Sequence, residues 1–304
     1  DPNLIVIGTD DGLIQITENG GESWRKIDKI KGAPSQSYVN SVYLSQHDTN
    51  VIYAAFNHHK FGDFKPYIFI SNDKGNSWES ISSDLPERGS VYSIEEDHEN
   101  SELIFCGTEF GFFFSNNGGA NWKKISNGLP TISVRDIAIQ RTENDIVLGT
   151  FGRGFYVLDD YSSLRHIQIN KNPIESKVFP IRPSLMWEKS SPLGRPAKAF
   201  QGDDFYLAEN LDPVALITYY NDKNFESLES KRKKKESKLV KDKKDIFYPT
   251  YDELKKEEEQ INPELVFTIR DENKEIIKKI FKPVSKGLNR IKWNLRYESM
   301  YPVL

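Results

Sequence analysis

The chain has 304 residues, 37% hydrophobic and 12% aromatic, with a formal net charge of −4, enough material for two domains at roughly 100–200 residues each. That charge excludes a general electrostatic pull toward nucleic acid or an anionic membrane, and no run approaches the ~18 apolar residues of a membrane-spanning helix. The single cysteine, Cys106, excludes an internal disulfide and reads as a small buried core residue.

The opening residues, Asp1 to Thr9, lack the basic region and cleavage site of a signal peptide and read as a strand. Any export signal is expected upstream. From there an internal repeat dominates. Thr17-Glu-Asn19-Gly-Gly21-Glu-Ser-Trp24, Ser71-Asn-Asp73-Lys-Gly75-Asn-Ser-Trp78 and Ser115-Asn-Asn117-Gly-Gly119-Ala-Asn-Trp122 all fit Ser/Thr-x-Asp/Asn-x-Gly-x-x-Trp. The tryptophans stand 54 and then 44 residues apart, a period that suits a four-stranded propeller blade.

The residue types describe a hairpin turn. Asp or Asn at the third position hydrogen-bonds backbone two residues on, and the Gly at the fifth permits positive φ. The Ser or Thr hydroxyl bonds across the turn. Trp opens the next strand and is expected to anchor the core by large apolar burial.

Flanking segments repeat as well. Gly8-Thr…Gly12, Gly107-Thr…Gly111 and Gly149-Thr…Gly154 precede one strand of each unit, and alternating runs at Val39–Leu44, Val91–Ile94 and Val134–Ile139 indicate half-buried strands. Blades are expected near 38–82, 90–126 and 132–169, after a first partial blade entered at its second strand. In the last one, Asp159–Arg165 takes the place of the turn without its Gly and Trp. Three and a half blades leave unpaired faces, so the chain is expected to be a C-terminal piece of a longer protein.

On these residues the chain resembles the Asp-box, or bacterial neuraminidase repeat, propellers: sialidases, xyloglucan-cleaving glucanases and sortilin-type receptors. The run Gly149-Thr-Phe-Gly-Arg-Gly-Phe-Tyr-Val-Leu-Asp-Asp160 is similar to the last blade of large secreted bacterial proteins of the sortilin-like type. The resemblance covers about residues 1–165. It implies a secreted or cell-envelope protein that binds a protein, peptide or glycan. A glycoside hydrolase with acids partly outside this chain, and a non-catalytic assembly factor, are the alternatives.

Beyond residue 169 the repeat stops. Residues 170–200 read as a connector with short extended pieces. Residues 201–304 read as a partial sandwich, with strands at Phe205–Ala208, Val214–Tyr220, Glu264–Ile269, Ile276–Phe281 and Asn289–Arg296. The closing Gly287–Arg296 run resembles the immunoglobulin-like sandwich of the hook-capping type. Residues 221–260 interrupt it as a charged, partly helical insertion. Acids interleave with the basic residues across this insertion, and no stacking aromatics accompany the run Lys231–Lys235, so a solvated segment is expected rather than a nucleic-acid site.

The fold class expected is therefore all-β: part of an Asp-box propeller, then part of a sandwich. Propeller topology puts the loops between second and third strands, and those between blades, around the axis on one face. Candidate ligand-binding residues there are Asn57, His58, His59, Lys60, Asp63, Phe110, Phe151 and Arg153. Glycoside hydrolysis needs two carboxylates about 5–10 Å apart, and Asp10, Asp11 and Glu109 are the available acids. They are weak candidates, since adjacent acids in a Gly-flanked turn are usually solvated, so no catalytic residue is assigned. Arg153 would be a lone anion-binding arginine. Adjacent His58 and His59 point apart on an extended loop, no Cys/His zinc spacing occurs, and no Gly loop with Lys is present. No metal or cofactor is expected.

Overall fold

The computed structural model describes residues 1–167, 175–188 and 212–297, and the chain divides into two units, Asp1–Asn172 and Pro173–Leu304. The first unit is a succession of antiparallel sheets. Strands β1 (Ile5–Gly8), β2 (Ile14–Thr17) and β3 (Arg25–Ile27) form a three-stranded sheet, and β4 (Tyr38–Leu44), β5 (Ile52–His58), β6 (Asp63–Ser71) and β7 (Glu79–Ser80) a four-stranded one. A second four-stranded sheet contains β8 (Val91–Glu96), β9 (Ile104–Thr108), β10 (Gly111–Ser115) and β11 (Lys123–Ile125). Strands β12 (Val134–Gln140), β13 (Asp145–Thr150) and β14 (Phe155–Leu158) form a last three-stranded sheet. Every sheet runs in chain order, an arrangement consistent with part of a β-propeller. The sheets are called blades one to four below.

Two apolar layers hold the blades together. Ile14, Ile16 and Leu4 of blade one pack with Val39, Ile52, Ala54 and Phe69 of blade two. Tyr53, Ile68 and Ile81 of blade two pack with Val91, Ile104, Cys106, Phe113 and Trp122. Cys106 is fully buried, as its apolar flanks suggested, and burial pushes its thiol pKa up.

The repeated turn explains how the layers meet. In blade two, Ser71 Oγ donates to Asp73 Oδ1 at 2.8 Å and accepts the Gly75 N–H at 2.7 Å. Asp73 Oδ1 accepts the Ser77 N–H at 2.8 Å. These bonds hold the Asp73 carboxyl down at about 2, led by the Ser77 hydroxyl. The turn then rests on the preceding blade. Gly75 has φ +81, and a Cβ there would collide with Ile16 of blade one. A Cβ at Gly119 would lie 2.8 Å from Ile81 of blade two, and Trp122 Nε1 donates to the Ile81 carbonyl at 2.8 Å.

Trp122 is accordingly 4% exposed and Trp78 half-buried, but Trp24 is 41% exposed. The expectation that all three tryptophans anchor the core is therefore corrected for Trp24. Its turn folds in the same way, with Gly21 donating to Thr17 Oγ1 and Ser23 to Asn19 Oδ1. Among the described residues no sheet lies on its preceding side.

Blade four solves the same problem without the turn. Tyr161, fully buried, sets its ring edge-on to Phe105 at 5.3 Å and donates to Asp97 Oδ1. Arg165 grips the same buried carboxylate through Nε and Nη2 at 2.8 and 2.7 Å. Burial opposes the Asp97 charge, but the bonds from Arg165 and Tyr161 win, and its pKa falls.

In the second unit, β15 (Lys177–Val178), β16 (Ala215–Asn221) and β19 (Gly287–Trp293) form one sheet, and β17 (Glu264–Arg270) and β18 (Ile276–Pro283) a hairpin. Leu265, Phe267 and Ile280 of the hairpin pack on Ile217, Tyr219 and Ile291. β15 falls within the stretch read as connector, and Phe205–Ala208 lies outside the described residues. The insertion carries two helices, α1 (Leu228–Lys241) and α2 (Tyr251–Glu258). No helix among the described residues is long and apolar enough to cross a membrane.

Two predictions follow from the blade interfaces. Trp122→Ala should cost about 3–5 kcal/mol of stability, as for other buried tryptophans, whereas Trp24→Ala should cost under about 1 kcal/mol. Denaturant unfolding distinguishes them, and equal losses would refute the interface role. Glu95 on β8 is pushed up to about 7, first by burial, with Asp136 and Glu96 adding to it and Tyr43 and Arg141 opposing. The folded state thus holds this proton more tightly than the unfolded chain, where the value is near 4.5. The group costs nothing below that pH, and its ionisation destabilises the fold as pH rises toward 7. Glu95→Gln, which can still accept from Tyr43 Oη, should stabilise the protein at pH 8 by on the order of 1 kcal/mol, after allowance for solvent screening. Thermal melts of the two proteins should coincide near pH 4.

Candidate functional site

The innermost strands carry an irregularity that repeats with the blades. On β4, Val39 pairs with Phe56 and Ser41 with Ala55, so Asn40 is an extra residue. On β8, Val91 pairs with Thr108 and Ser93 with Gly107, which leaves Tyr92 extra. On β12, Val134 pairs with Thr150 and Asp136 with Gly149, which leaves Arg135 extra. A bulge of this kind leaves one residue out of the ladder and re-aims its side chain. The chain is packed so tightly here that Gly107 is needed: a Cβ would come within 2.7 Å of the Val134 carbonyl on the next blade.

All three bulge residues line one cavity of about 550 Å³. Tyr38, Asn57, His59, Lys60, Phe64 and Glu109 complete its wall. Asn40 Nδ2 donates to the Val91 carbonyl at 2.6 Å, and Asn57 Nδ2 reaches Asn40 Oδ1 at 3.4 Å, so the amides tie blade two to blade three. The Arg135 guanidinium lies 3.7 Å from the centroid of the Tyr92 ring and 5.3 Å from that of Phe151. Lys60 stands 5.8 Å over Tyr38, and Arg88 lies 5.4 Å over Phe64. Burial raises the Tyr92 pKa; Arg135 opposes the rise and Glu109 adds to it.

Contact with aromatic rings positions a guanidinium while keeping donors for a further ligand; one Arg135 donor is engaged by the Tyr92 side chain. Arg135 has no ion-pair partner among the described residues. The wall is thus amphipathic: aromatic rings, two amides, two cations and one carboxylate.

The structure sorts the expected residues. Asn57, His59, Lys60 and Glu109 line the cavity, and exposed Phe151 flanks Arg135. His58 does not line it. Its ring stacks on Phe61 at 4.4 Å, and its Nδ1 lies 3.3 Å from Ser37 Oγ. Asp63 does not line it either; it accepts the Tyr67 hydroxyl at 2.6 Å and the Lys65 N–H at 3.1 Å. Phe110 is exposed beside Gly89. Arg153 sits exposed in a turn between Gly152 and Gly154, both at positive φ.

Asp10 is exposed, and Asp11 accepts the Thr9 hydroxyl within its own turn. Neither lines the cavity, so Glu109 is the single carboxylate among its described lining residues. No group of three or more His, Cys, Asp or Glu suited to a metal occurs among the described residues.

Asn40, Tyr92 and Arg135 did not stand out as site residues from the sequence. The available signal was positional. Each follows the valine that opens an aligned inner strand, in Val39-Asn-Ser-Val, Val91-Tyr-Ser-Ile and Val134-Arg-Asp-Ile.

No family model matches the chain, and no curated protein matches it. Solved structures of β-propeller proteins do. YCF48 bound to a D1 peptide is 16% identical, with 53% of this chain and 48% of that one covered at a TM-score of 0.41. An ancestral GH74 enzyme is 18% identical, covering 73% and 28% at 0.43. The GH74 xyloglucanase from Xanthomonas campestris is 16% identical, covering 72% and 40% at 0.44. The chain spans less than two thirds of the length of each.

Proposed function

We propose that this chain is part of a sortilin-like Asp-box propeller of the cell envelope or extracellular space, followed by part of an immunoglobulin-like sandwich, and that the bulge-lined cavity binds an extended protein or peptide segment. The observation that carries the binding role is the Arg135 guanidinium. It is pre-positioned on the Tyr92 and Phe151 rings, it has no carboxylate partner among the described residues, and it sits in a wall rich in amides and aromatics. Such a group takes a carboxylate, from an acidic side chain or a chain end, by paired N–H donors. Asn40 and Asn57 suit the backbone of a bound segment, while Tyr38, Phe64 and Tyr92 suit its apolar parts.

Glycan binding draws on the same amides and rings. Hydrolysis would need a second carboxylate besides Glu109; none occurs among the described lining residues, so that alternative rests on acids outside this chain.

Peptides ending in a free carboxylate, their amidated counterparts and neutral oligosaccharides, arrayed and probed with the full chain, test this proposal. Free-carboxylate peptides should be retained, and Arg135→Ala should weaken them at least about tenfold, a loss of about 1.4 kcal/mol. Arg153→Ala, outside the cavity, should leave retention unchanged. Equal retention by the Arg135 variant would refute the assignment.

A further inference from the structure

The insertion in the second unit has a surface that its own fold does not use. Helix α1 carries seven Lys or Arg and two Glu, and neither α1 nor α2 buries a single residue. The pair is held by polar contacts instead. Arg232 forms a fork with Glu257 at 2.8 and 2.9 Å and reaches Glu236 at 2.8 Å. Gln260 Oε1 accepts the Leu228 N–H, and Thr250 and Glu253 close a capping box on α2. So the hairpin has a defined shape without a core.

Between the helices and the segment that joins them lies a groove of about 750 Å³. Its apolar wall includes Leu239, Ile246, Phe247, Tyr248 and Pro249. Phe247 is 85% and Tyr248 86% exposed, unusual for neighbouring large rings, since apolar side chains normally go where water is excluded.

The rim is basic. Lys231, Lys235 and Lys256 line the groove. The neighbouring Lys233 and Lys234 are neutralised by Glu229 and Glu226, but Lys231 has no ion-pair partner among the described residues. Lys235 and Lys256 face Glu253, whose carboxylate is already engaged by the Thr250 N–H and hydroxyl.

We infer that this hairpin is a docking site for an acidic peptide segment of a partner protein, which sets an aromatic or aliphatic side chain on Phe247 and Tyr248 and its carboxylates on Lys231, Lys235 and Lys256. Charge complementarity selects the occupant: an apolar floor alone takes any hydrophobic segment, whereas cations around it favour acids beside the anchor. The apolar wall belongs to a concavity, which suits an inserted side chain. This groove shares no lining residue with the Arg135 cavity, and the inference does not rest on the function proposed for that cavity.

The test uses the full chain and a displayed library of random peptides. Selected peptides should combine Asp or Glu with Phe, Leu, Ile or Trp. Two double variants at exposed positions, Lys231→Glu/Lys235→Glu and Phe247→Ser/Tyr248→Ser, should each weaken such a peptide at least about tenfold, with circular dichroism unchanged. Raising salt from about 0.1 M to about 1 M, which shortens the Debye length from about 10 Å to about 3 Å, should weaken the wild-type complex and leave the lysine variant's residual binding unaltered. No enrichment, or enrichment indifferent to charge, overturns the inference. Phosphatidylserine vesicles are the second arm: binding lost in the Phe247/Tyr248 variant would assign the surface to a membrane and overturn it as well.

Discussion

The first unit depends on one contact, repeated: the turn between the outer strands of one blade lies on the apolar face of the blade before it. Its hydroxyl, carboxyl or amide, and glycine do not create a site. They compress the chain until its glycine meets the neighbouring side chains and its tryptophan can slide beneath. Large apolar burial at each junction makes the stability of a blade partly a property of the next one. Trp24 shows the corollary, since the same turn, folded by the same bonds, leaves its ring 41% exposed where the described residues place no sheet against it.

Blade four shows that the junction rather than the motif is the requirement. There the chain lacks the turn's Gly and Trp, and Tyr161 with Arg165 reaches back to Asp97 and Phe105 instead. A buried bidentate ion pair with an aromatic beside it replaces an indole and its N–H. The desolvation of Asp97 is offset because Arg165, Tyr161 and two backbone N–H groups share the carboxylate.

Much of this architecture was legible from residues alone, because turn chemistry and alternation are local signals. The all-β class and the succession of antiparallel sheets follow from where Gly, Asp or Asn, and Trp recur. The cavity was not legible in the same way. Asn57, His59, Lys60 and Glu109 could be placed by topology, since they sit in or beside loops on the expected face. Asn40, Tyr92 and Arg135 lie inside strands, where alternation suggests an ordinary ladder residue, and only the pairing reveals the bulges. Arg153 stands between glycines at positive φ in an exposed turn and is not among the cavity's described lining residues. In the second unit, the charge run at 231–235 suggested a solvated segment, and what the composition concealed was an apolar groove formed by residues before α2.

The bulges have one further consequence. A residue outside the ladder is left unpaired in its own sheet, so its side chain is set by what it meets across the blades: Asn40 bonds the Val91 carbonyl and Arg135 lies on Tyr92. Val39, Val91 and Val134 repeat beside them, while the bulged position holds an amide, a phenol and a guanidinium in turn. The same side chains therefore serve the junction between blades and the cavity wall at once. A substitution at the crest of a bulge is therefore expected to alter the recognition surface and the seam between blades together.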